Sequence, residues 1–144
     1  MSDQTTQPLV EVKNIARYFD VSAPWLERVI YRRPKVYLRA VDDVSFTLNK
    51  GETLALVGES GCGKSTVARL LTGLYGLSKG SIKFDGAELS NMSSQQIKMM
   101  RRRLQMIFQD PYASLNPRWR VGRIIAEPLR THTNMSKAEQ EQRA

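Results

Sequence analysis

The most chemically specific segment of the chain is a glycine-rich octapeptide at residues 58–65. Its residues are, in order, Gly58, Glu59, Ser60, Gly61, Cys62, Gly63, Lys64 and Ser65. The spacing G-x-x-x-x-G-K-[ST] is typical of loops that cradle the phosphates of a nucleotide. We call residues 58–65 the phosphate loop.

Four residues of the phosphate loop have properties that suit a triphosphate. Gly61 and Gly63 allow backbone N–H groups to converge on the phosphates in conformations closed to most residues. Lys64 supplies a positive charge for the β- and γ-phosphates, and the Ser65 hydroxyl is the expected Mg²⁺ ligand. Thr66 is included among the nucleotide-binding residues, with local capping or packing as its alternative role. The sequence therefore predicts binding of a nucleoside triphosphate with Mg²⁺.

The residues on each side of the phosphate loop predict a strand before it and a helix after it. Residues 53–57 form a short apolar run, which favours a buried parallel strand. Residues 67–71 have helical spacing, and Gly73 is placed to end that helix. Strand, glycine-rich loop and helix is the arrangement that phosphate binding requires.

Length and composition place the chain among globular proteins. It has 144 residues, 41% of them hydrophobic, enough for one domain with a real core. No apolar run approaches the ~20 residues that span a bilayer, and the polar N-terminus has no signal-peptide pattern. Cys62 is the single cysteine and cannot form an internal disulfide, which agrees with a reducing compartment. We expect Cys62 to be a small loop residue.

The formal net charge of +8 raises the question of an acidic partner. The basic residues cluster around residues 32–35, 98–103 and 118–123. No aromatic-interleaved recognition motif for nucleic acid accompanies them. Solvated faces and contacts to a partner or to lipid head groups are the favoured interpretation, and the stretch from Arg28 to Lys35 is a candidate for the lipid contact.

The sequence predicts a polar tail at residues 1–7 and one domain at residues 8–144. Residues 9–15 alternate as a strand, and residues 20–35 read as an insertion with a short amphipathic helix. Residues 36–41 and 44–48 resemble paired strands with Asp42 and Asp43 as their turn. The later predictions are a turn at 78–80, strands at 81–84 and 105–108, a loop at 111–117, and helices at 93–103, at 121–130 and from Ser136 onward.

Three segments narrow this general picture. The text GETLALVGESGCGKST at residues 51–66 resembles the ATP-binding subunits of ABC transporters. Within those subunits, RLQMIFQDPYASLNPR at residues 103–118 and AVDDVSF at residues 40–46 resemble the dipeptide and oligopeptide importer group, which includes nickel and glutathione importers. The resemblance extends over residues 8–130.

The resemblance implies an α/β fold of the P-loop nucleoside triphosphatase class, of ABC type. The chain would hold its N-terminal portion: an antiparallel β subdomain, the start of a parallel-sheet core, and the start of a helical subdomain at residues 121–144. The implied function is to couple ATP binding and hydrolysis to the import of peptides or related small solutes. The implied site is the cytoplasmic face of the plasma membrane, where the subunit is peripheral.

The resemblance also implies partners and individual roles. Membrane permease subunits would contact residues 109–123, a second ATP-binding subunit would complete the assembly, and a solute-binding protein would act indirectly; no nucleic acid is implied. Gln109 falls where the family keeps a glutamine that reaches Mg²⁺ and the attacking water. An aromatic ring shortly after the first strand stacks on adenine, with Phe19 as first choice and Tyr18 as second.

Three features of the family are not matched. Nothing resembles an LSGGQ-type segment, and no apolar strand is followed by Asp and then Glu. The single histidine, His132, is expected in a solvated loop rather than as a switch residue. We therefore expect the N-terminal part of a longer protein, marginally stable by itself, and name no catalytic residue.

Two further functions stay open at this level. One is a truncated ATP-binding module without turnover, and the other is a nucleic-acid-associated ABC ATPase. The transported solute is not indicated.

Overall fold

The structure is a computed structural model that describes residues 7–110, 112 and 114–144. The predicted tail lies outside these residues except for Gln7. The chain divides into two compact units, the first ending at Ile97 and the second beginning at Lys98.

The first unit is built on a four-stranded antiparallel sheet in the order β2-β1-β3-β4. The strands are β1 (Val10–Asp20), β2 (Tyr37–Leu48), β3 (Lys79–Phe84) and β4 (Ala87–Glu88). β1 lies in the interior of the sheet and pairs with β2 on one edge and β3 on the other. Val12, Ile15 and Ile82 are almost fully buried, so the apolar alternation that predicted the first strand points into the core.

Five α-helices were expected from the periodicity, and each is present among the described residues. They are α1 (Trp25–Tyr31), α2 (Lys64–Leu71), α3 (Ser94–Arg103), α4 (Val121–His132) and α5 (Lys137–Arg143), with a short 3-10 turn at Leu89–Asn91. Ser93 caps α3, since its Oγ accepts from the Gln96 N–H while the Ser93 N–H donates to Gln96 Oε1. Ser136 and Glu139 form the same reciprocal box at α5.

α2 packs against the sheet and positions the phosphate loop. Its buried residues are Val67 and Leu70, spaced three apart on one side of the helix. They lie in the same core as Val41 of β2. The helix directly after the loop is therefore anchored by apolar burial.

The expected turn at Asp42 and Asp43 is wrong. β2 runs without interruption through both residues and pairs with β1 on each side of them. Asp43 has a φ of 54°, opposite Asn14 with a φ of 47°, and Asn14 Nδ2 donates to Asp43 Oδ1 over 2.6 Å. The two acidic residues mark a bulge, where the pairing register shifts, and such positions share the turn residues that misled the prediction. The expected turn at residues 78–80 is also displaced, because Lys79 and Gly80 already belong to β3.

Two apolar runs belong to no strand of the described structure: residues 53–57, predicted as a buried parallel strand, and residues 105–108, predicted as a strand. Val57 is 90% exposed in the first unit and Ile107 is 94% exposed in the second. An extended segment gains ladder hydrogen bonds only from a neighbouring strand, and a parallel strand also needs cover on both faces. The apolar composition of these runs predicts buried strands, but their side chains are largely exposed. The expected marginal stability of the chain stays a prediction.

The placement of His132 was also wrong. It is the last residue of α4 rather than part of a loop, and it is half-buried. Its Nδ1 atom is buried without a hydrogen-bond partner in the part of the chain that the structure describes. The helix extends this far because the Thr133 N–H and Oγ1 both donate to the Leu129 carbonyl.

We predict that Leu70→Ala destabilises the first unit by about 2–5 kcal/mol, because it removes a fully buried side chain and leaves a cavity. Leu54→Ala is the matched control: Leu54 is 43% exposed, and its loss should cost about 0.5 kcal/mol or less. Urea denaturation followed by far-UV circular dichroism measures both. Equal losses would contradict the assignment of the core.

Candidate nucleotide-binding site

The phosphate loop takes its shape from three glycines in conformations that other residues adopt rarely. Gly58, Gly61 and Gly63 have φ values of 155°, 84° and 99°. A side chain at Gly58 would lie 2.7 Å from Cys62 Sγ, so the loop folds back tightly on itself. The glycines are therefore required by the backbone path as well as by a ligand.

Gly63 brings the loop against the sheet. A Cβ atom at this position would lie 2.4 Å from the Ala40 carbonyl oxygen and 3.5 Å from Val41 Cγ2. Gly63 is also the N-cap of α2, in the left-handed conformation. The end of the loop and the start of α2 are thereby held directly on β2.

The N-terminus of α2 is open to an anion. No side chain caps it, and its first turn contains no acidic residue. The first backbone hydrogen bond of the helix runs from the Val67 N–H to the Gly63 carbonyl over 2.9 Å. N–H groups ahead of Val67 have no acceptor within an α-helix, and the helix dipole favours negative charge at this end.

Lys64 lies across the mouth of the loop. Its ammonium donates to the carbonyls of Gly58 and Glu59 over 2.8 and 2.7 Å and lies 3.4 Å from Cys62 Sγ. These backbone acceptors hold a mobile side chain in one place beside the loop. A phosphate oxygen, being charged, is a stronger acceptor than either carbonyl.

The remaining loop residues divide by exposure. Ser65 in the first turn of α2 is exposed, and its hydroxyl is a hard oxygen of the kind that Mg²⁺ prefers. Thr66 is half-buried, in keeping with a partly structural role. Glu59, Ser60 and the free thiol of Cys62 are exposed.

Phe19 and Tyr18, the two candidates for the stacking ring, have different surroundings. Phe19 packs edge-on against Tyr75, with ring centres 5.5 Å apart, and the Arg17 guanidinium lies 4.7 Å from its ring centre. Tyr75 directly follows the α2 region, and its N–H donates to the Arg69 carbonyl. Phe19 is thus attached to the same structural block as the phosphate loop.

Tyr18 faces a different set of groups. Its hydroxyl donates to Asp42 Oδ1 over 2.7 Å, and Arg39 and Lys79 flank its ring at 5.8 Å. The hydrogen bond to the Asp42 carboxylate raises the pKa of the Tyr18 phenol, because ionisation would lose the bond and set two negative charges together. Successive residues of a strand point to opposite faces, so Tyr18 and Phe19 are not equivalent.

Gln109 belongs to the second unit and is exposed in irregular backbone. The adjacent Asp110 organises a turn: its Oδ1 accepts from the Tyr112 N–H and its carbonyl from the Ser114 hydroxyl. Pro111 and Ala113, within the expected contact region for the permease, lie outside the described residues.

Three residues around Phe19 were missed from the sequence: Arg17, Arg69 and Tyr75. Arg69 Nη1 donates to the Tyr75 hydroxyl over 3.1 Å, and Arg17 Nη1 donates to the Gly76 carbonyl over 2.9 Å. Arg17 was detectable, since it lies two residues before Phe19 and so on the same strand face. Tyr75 and Arg69 were not, because the contact joins segments more than fifty residues apart.

The spacing G-x-x-x-x-G-K-[ST] in a loop that opens an uncapped helix is characteristic of a class, the P-loop proteins. The fold narrows this class. The chain superposes on MJ0796, an ATP-binding cassette solved as a dimer in a post-hydrolysis state with ADP and Pi, with a TM-score of 0.70 and 21% identity over 93% of this chain and 53% of that one. At this identity the likeness shows the fold, which is that of an ATP-binding cassette.

Residues 41–144 match the family model described as ABC transporter. The chain therefore belongs to the ABC transporter family, as its resemblance implied, and the expected fold class is confirmed. We find similarity to the oligopeptide transport ATP-binding protein AppF of Bacillus subtilis, at 40% identity over 99% of this chain and 42% of AppF. OppF of Haemophilus influenzae, of the same description, is 48% identical over 91% of this chain and 39% of OppF.

The dipeptide transport ATP-binding protein DppF of Escherichia coli is 40% identical over 96% of this chain and 40% of DppF. These names fall in the importer group that residues 40–46 and 103–118 resemble. The chain spans about two fifths of the length of these curated relatives. Within the described residues, no helix is both long and apolar enough to cross a membrane.

We predict that Gly63→Ala destabilises the chain more than Gly61→Ala. Both positions have positive φ and carry similar backbone strain, about 1–2 kcal/mol. Only at Gly63 does the new methyl group meet the backbone, 2.4 Å from the Ala40 oxygen, while nothing lies within 4 Å at Gly61. Urea denaturation of the two variants compares them directly, and a smaller loss for Gly63→Ala would contradict the close approach.

Proposed function

We propose that this chain binds ATP with Mg²⁺ through the phosphate loop. The observation that carries the proposal is the loop itself: Lys64 is held beside an uncapped helix N-terminus by two loop carbonyls. When a triphosphate enters, Lys64 exchanges these neutral acceptors for charged phosphate oxygens, and the first N–H groups of α2 donate to the same ligand. The full nucleotide-binding set is Gly58, Glu59, Ser60, Gly61, Cys62, Gly63, Lys64, Ser65 and Thr66.

Mg²⁺ fits the donors that the chain offers. The Ser65 hydroxyl is exposed in the first turn of α2 and is a hard oxygen ligand. Gln109 is proposed as a metal ligand on the resemblance alone, through its side-chain amide oxygen. When bound, Mg²⁺ would supply positive charge that offsets the charge of the phosphates. We assign no residue of this chain to activation of water.

For adenine, Phe19 is the proposed stacking ring rather than Tyr18. Phe19 belongs to the cluster with Tyr75 and Arg69 that follows the phosphate-loop helix. Tyr18 is engaged by Asp42 on the other strand face. An offset aromatic pair contributes about 0.5–1.5 kcal/mol beyond its buried area, which is enough to matter for affinity.

At the level of the assembly, we propose that the chain acts in an ATP-binding subunit that couples ATP binding and hydrolysis to import of peptides or related small solutes. Support comes from AppF, OppF and DppF, whose names describe oligopeptide and dipeptide transport. The proposed partners are membrane permease subunits at residues 109–123, a second ATP-binding subunit, and indirectly a solute-binding protein. The proposed location is the cytoplasmic face of the plasma membrane.

We predict that Lys64→Ala weakens Mg·ATP binding about 10- to 150-fold, because it removes a charge-assisted contact of about 1.5–3 kcal/mol. Isothermal titration calorimetry with Mg·ATP measures the effect. Lys50→Ala removes the same charge from an exposed turn before the loop and should leave the affinity unchanged. Nucleotide affinity that is the same in Lys64→Ala and in the unchanged chain would refute the assignment.

We predict that Phe19→Ala weakens ATP binding about 3- to 10-fold through loss of stacking, while Tyr18→Phe has little effect. The latter keeps the ring and removes only the hydroxyl that bonds Asp42. Competition of ATP and of inorganic triphosphate against a fluorescent nucleotide separates a base contact from a general loss of fold. A loss of affinity for both ligands in Phe19→Ala, or for neither, would refute the stacking role.

A further inference from the structure

The connection between β1 and β2 is a long segment with its own helix rather than a tight turn. It comprises residues 21–36 and carries α1; we call it the hairpin extension. Its base is closed by the Val21 N–H donating to the Val36 carbonyl over 3.0 Å and by the Val36 N–H donating to Ser22 Oγ over 2.8 Å. The extension is therefore fixed to the end of the sheet, with its two ends hydrogen-bonded to each other.

α1 exposes its apolar side chains. No residue of α1 is buried, and Trp25, Val29 and Ile30 are 69%, 68% and 67% exposed. With Leu26, they occupy an arc of about 140° at the 100° per residue of a helix. A contiguous apolar stripe of this kind in solvent marks an interaction surface.

Basic residues surround that stripe. The hairpin extension contains four basic residues, Arg28, Arg32, Arg33 and Lys35. Its one acidic residue is Glu27. Arg32 is the C-cap of α1 and has a left-handed backbone conformation. Its N–H donates to the Arg28 carbonyl, and the helix ends there. Arg32, Arg33 and Lys35 are exposed just beyond the apolar stripe.

An apolar stripe bordered by basic side chains is suited to binding an anionic lipid surface. Tryptophan and aliphatic side chains enter the boundary between head groups and acyl chains, while arginine and lysine reach the phosphates. The helix has seven residues, none of them buried, so its apolar stripe is open to such an interface. The positive charge supplies the complementarity that selects anionic lipid.

We propose that the hairpin extension docks on the surface of an anionic lipid bilayer, with the stripe of Trp25, Leu26, Val29 and Ile30 at the interface and Arg32, Arg33 and Lys35 on lipid phosphates. The contact is independent of nucleotide. It gives the chain a membrane attachment of its own, in addition to any contact with a permease.

The test is sedimentation of the full chain with sucrose-loaded vesicles, without nucleotide. Vesicles of phosphatidylcholine alone are compared with vesicles containing 30 mol% phosphatidylserine, roughly the anionic fraction needed for a strong surface potential. We expect binding to the anionic vesicles that falls as salt rises. The triple variant Arg32→Gln, Arg33→Gln, Lys35→Gln should lose about 100-fold in partition coefficient, about fivefold for each basic residue.

Two further variants separate the surface from bulk charge. Val29→Ser with Ile30→Ser retains every charge and should lower binding about tenfold through lost apolar insertion. Lys98→Gln, Arg101→Gln, Arg102→Gln removes the same charge from exposed positions of α3 and should leave binding close to that of the unchanged chain. In a Trp119→Phe background, Trp25 is the sole tryptophan, and its fluorescence should shift to shorter wavelength on anionic vesicles only.

Equal losses in the α3 control and the hairpin-extension triple variant would overturn the proposal, as would binding that ignores lipid charge. So would a serine double variant that binds vesicles normally but converts a dimer to a monomer in sedimentation velocity, since a second copy would then cover the stripe. Mg·ATP affinity should be unchanged in every variant. This last readout verifies folding and keeps the lipid test separate from the nucleotide assignment.

Discussion

The close approach of Gly63 to the backbone of β2 is the constraint on which the candidate site depends. With only a hydrogen at this position, the end of the phosphate loop rests against the Ala40 carbonyl, and α2 begins there. Burial of Val67 and Leu70 then holds the helix on the sheet. Because the helix is anchored on the sheet, its uncapped N-terminus and the Lys64 ammonium lie together without a ligand.

The antiparallel sheet does more than support the loop. Because side chains alternate along a strand, two neighbouring aromatic rings have different partners. Phe19 contacts Tyr75, which follows α2, whereas Tyr18 bonds to Asp42. The bulge at Asn14 and Asp43 adjusts the register between β1 and β2 without ending either strand. The same pair of strands then extends into the hairpin extension. One sheet thus supports a candidate nucleotide site and, beyond the paired ends of β1 and β2 at Asp20 and Tyr37, a basic apolar surface.

Two groups of exposed apolar residues in this chain differ in their neighbours. The runs at residues 53–57 and 105–108 have the composition of buried strands, without acidic or basic residues among their members. In the hairpin extension, the apolar stripe is bordered by arginine and lysine and carried by a helix. The first pattern is typical of strands that are buried in a protein interior. The second is typical of residues at a boundary between an apolar phase and water.

The sequence by itself determined the local features: the glycine-rich phosphate-loop motif, the family resemblance and the existence of all five described α-helices. These follow from patterns a few residues long, in which glycine conformation, capping and side-chain period act directly. Strand pairing was decided only in the tertiary structure, since residues 53–57 resemble a strand but gain no ladder hydrogen bonds without a neighbour. The bulge at Asp43, the end of α4 at His132 and the cluster of Arg17, Arg69 and Tyr75 were decided there too. Each depends on contacts between segments or on backbone bonds that composition does not reveal.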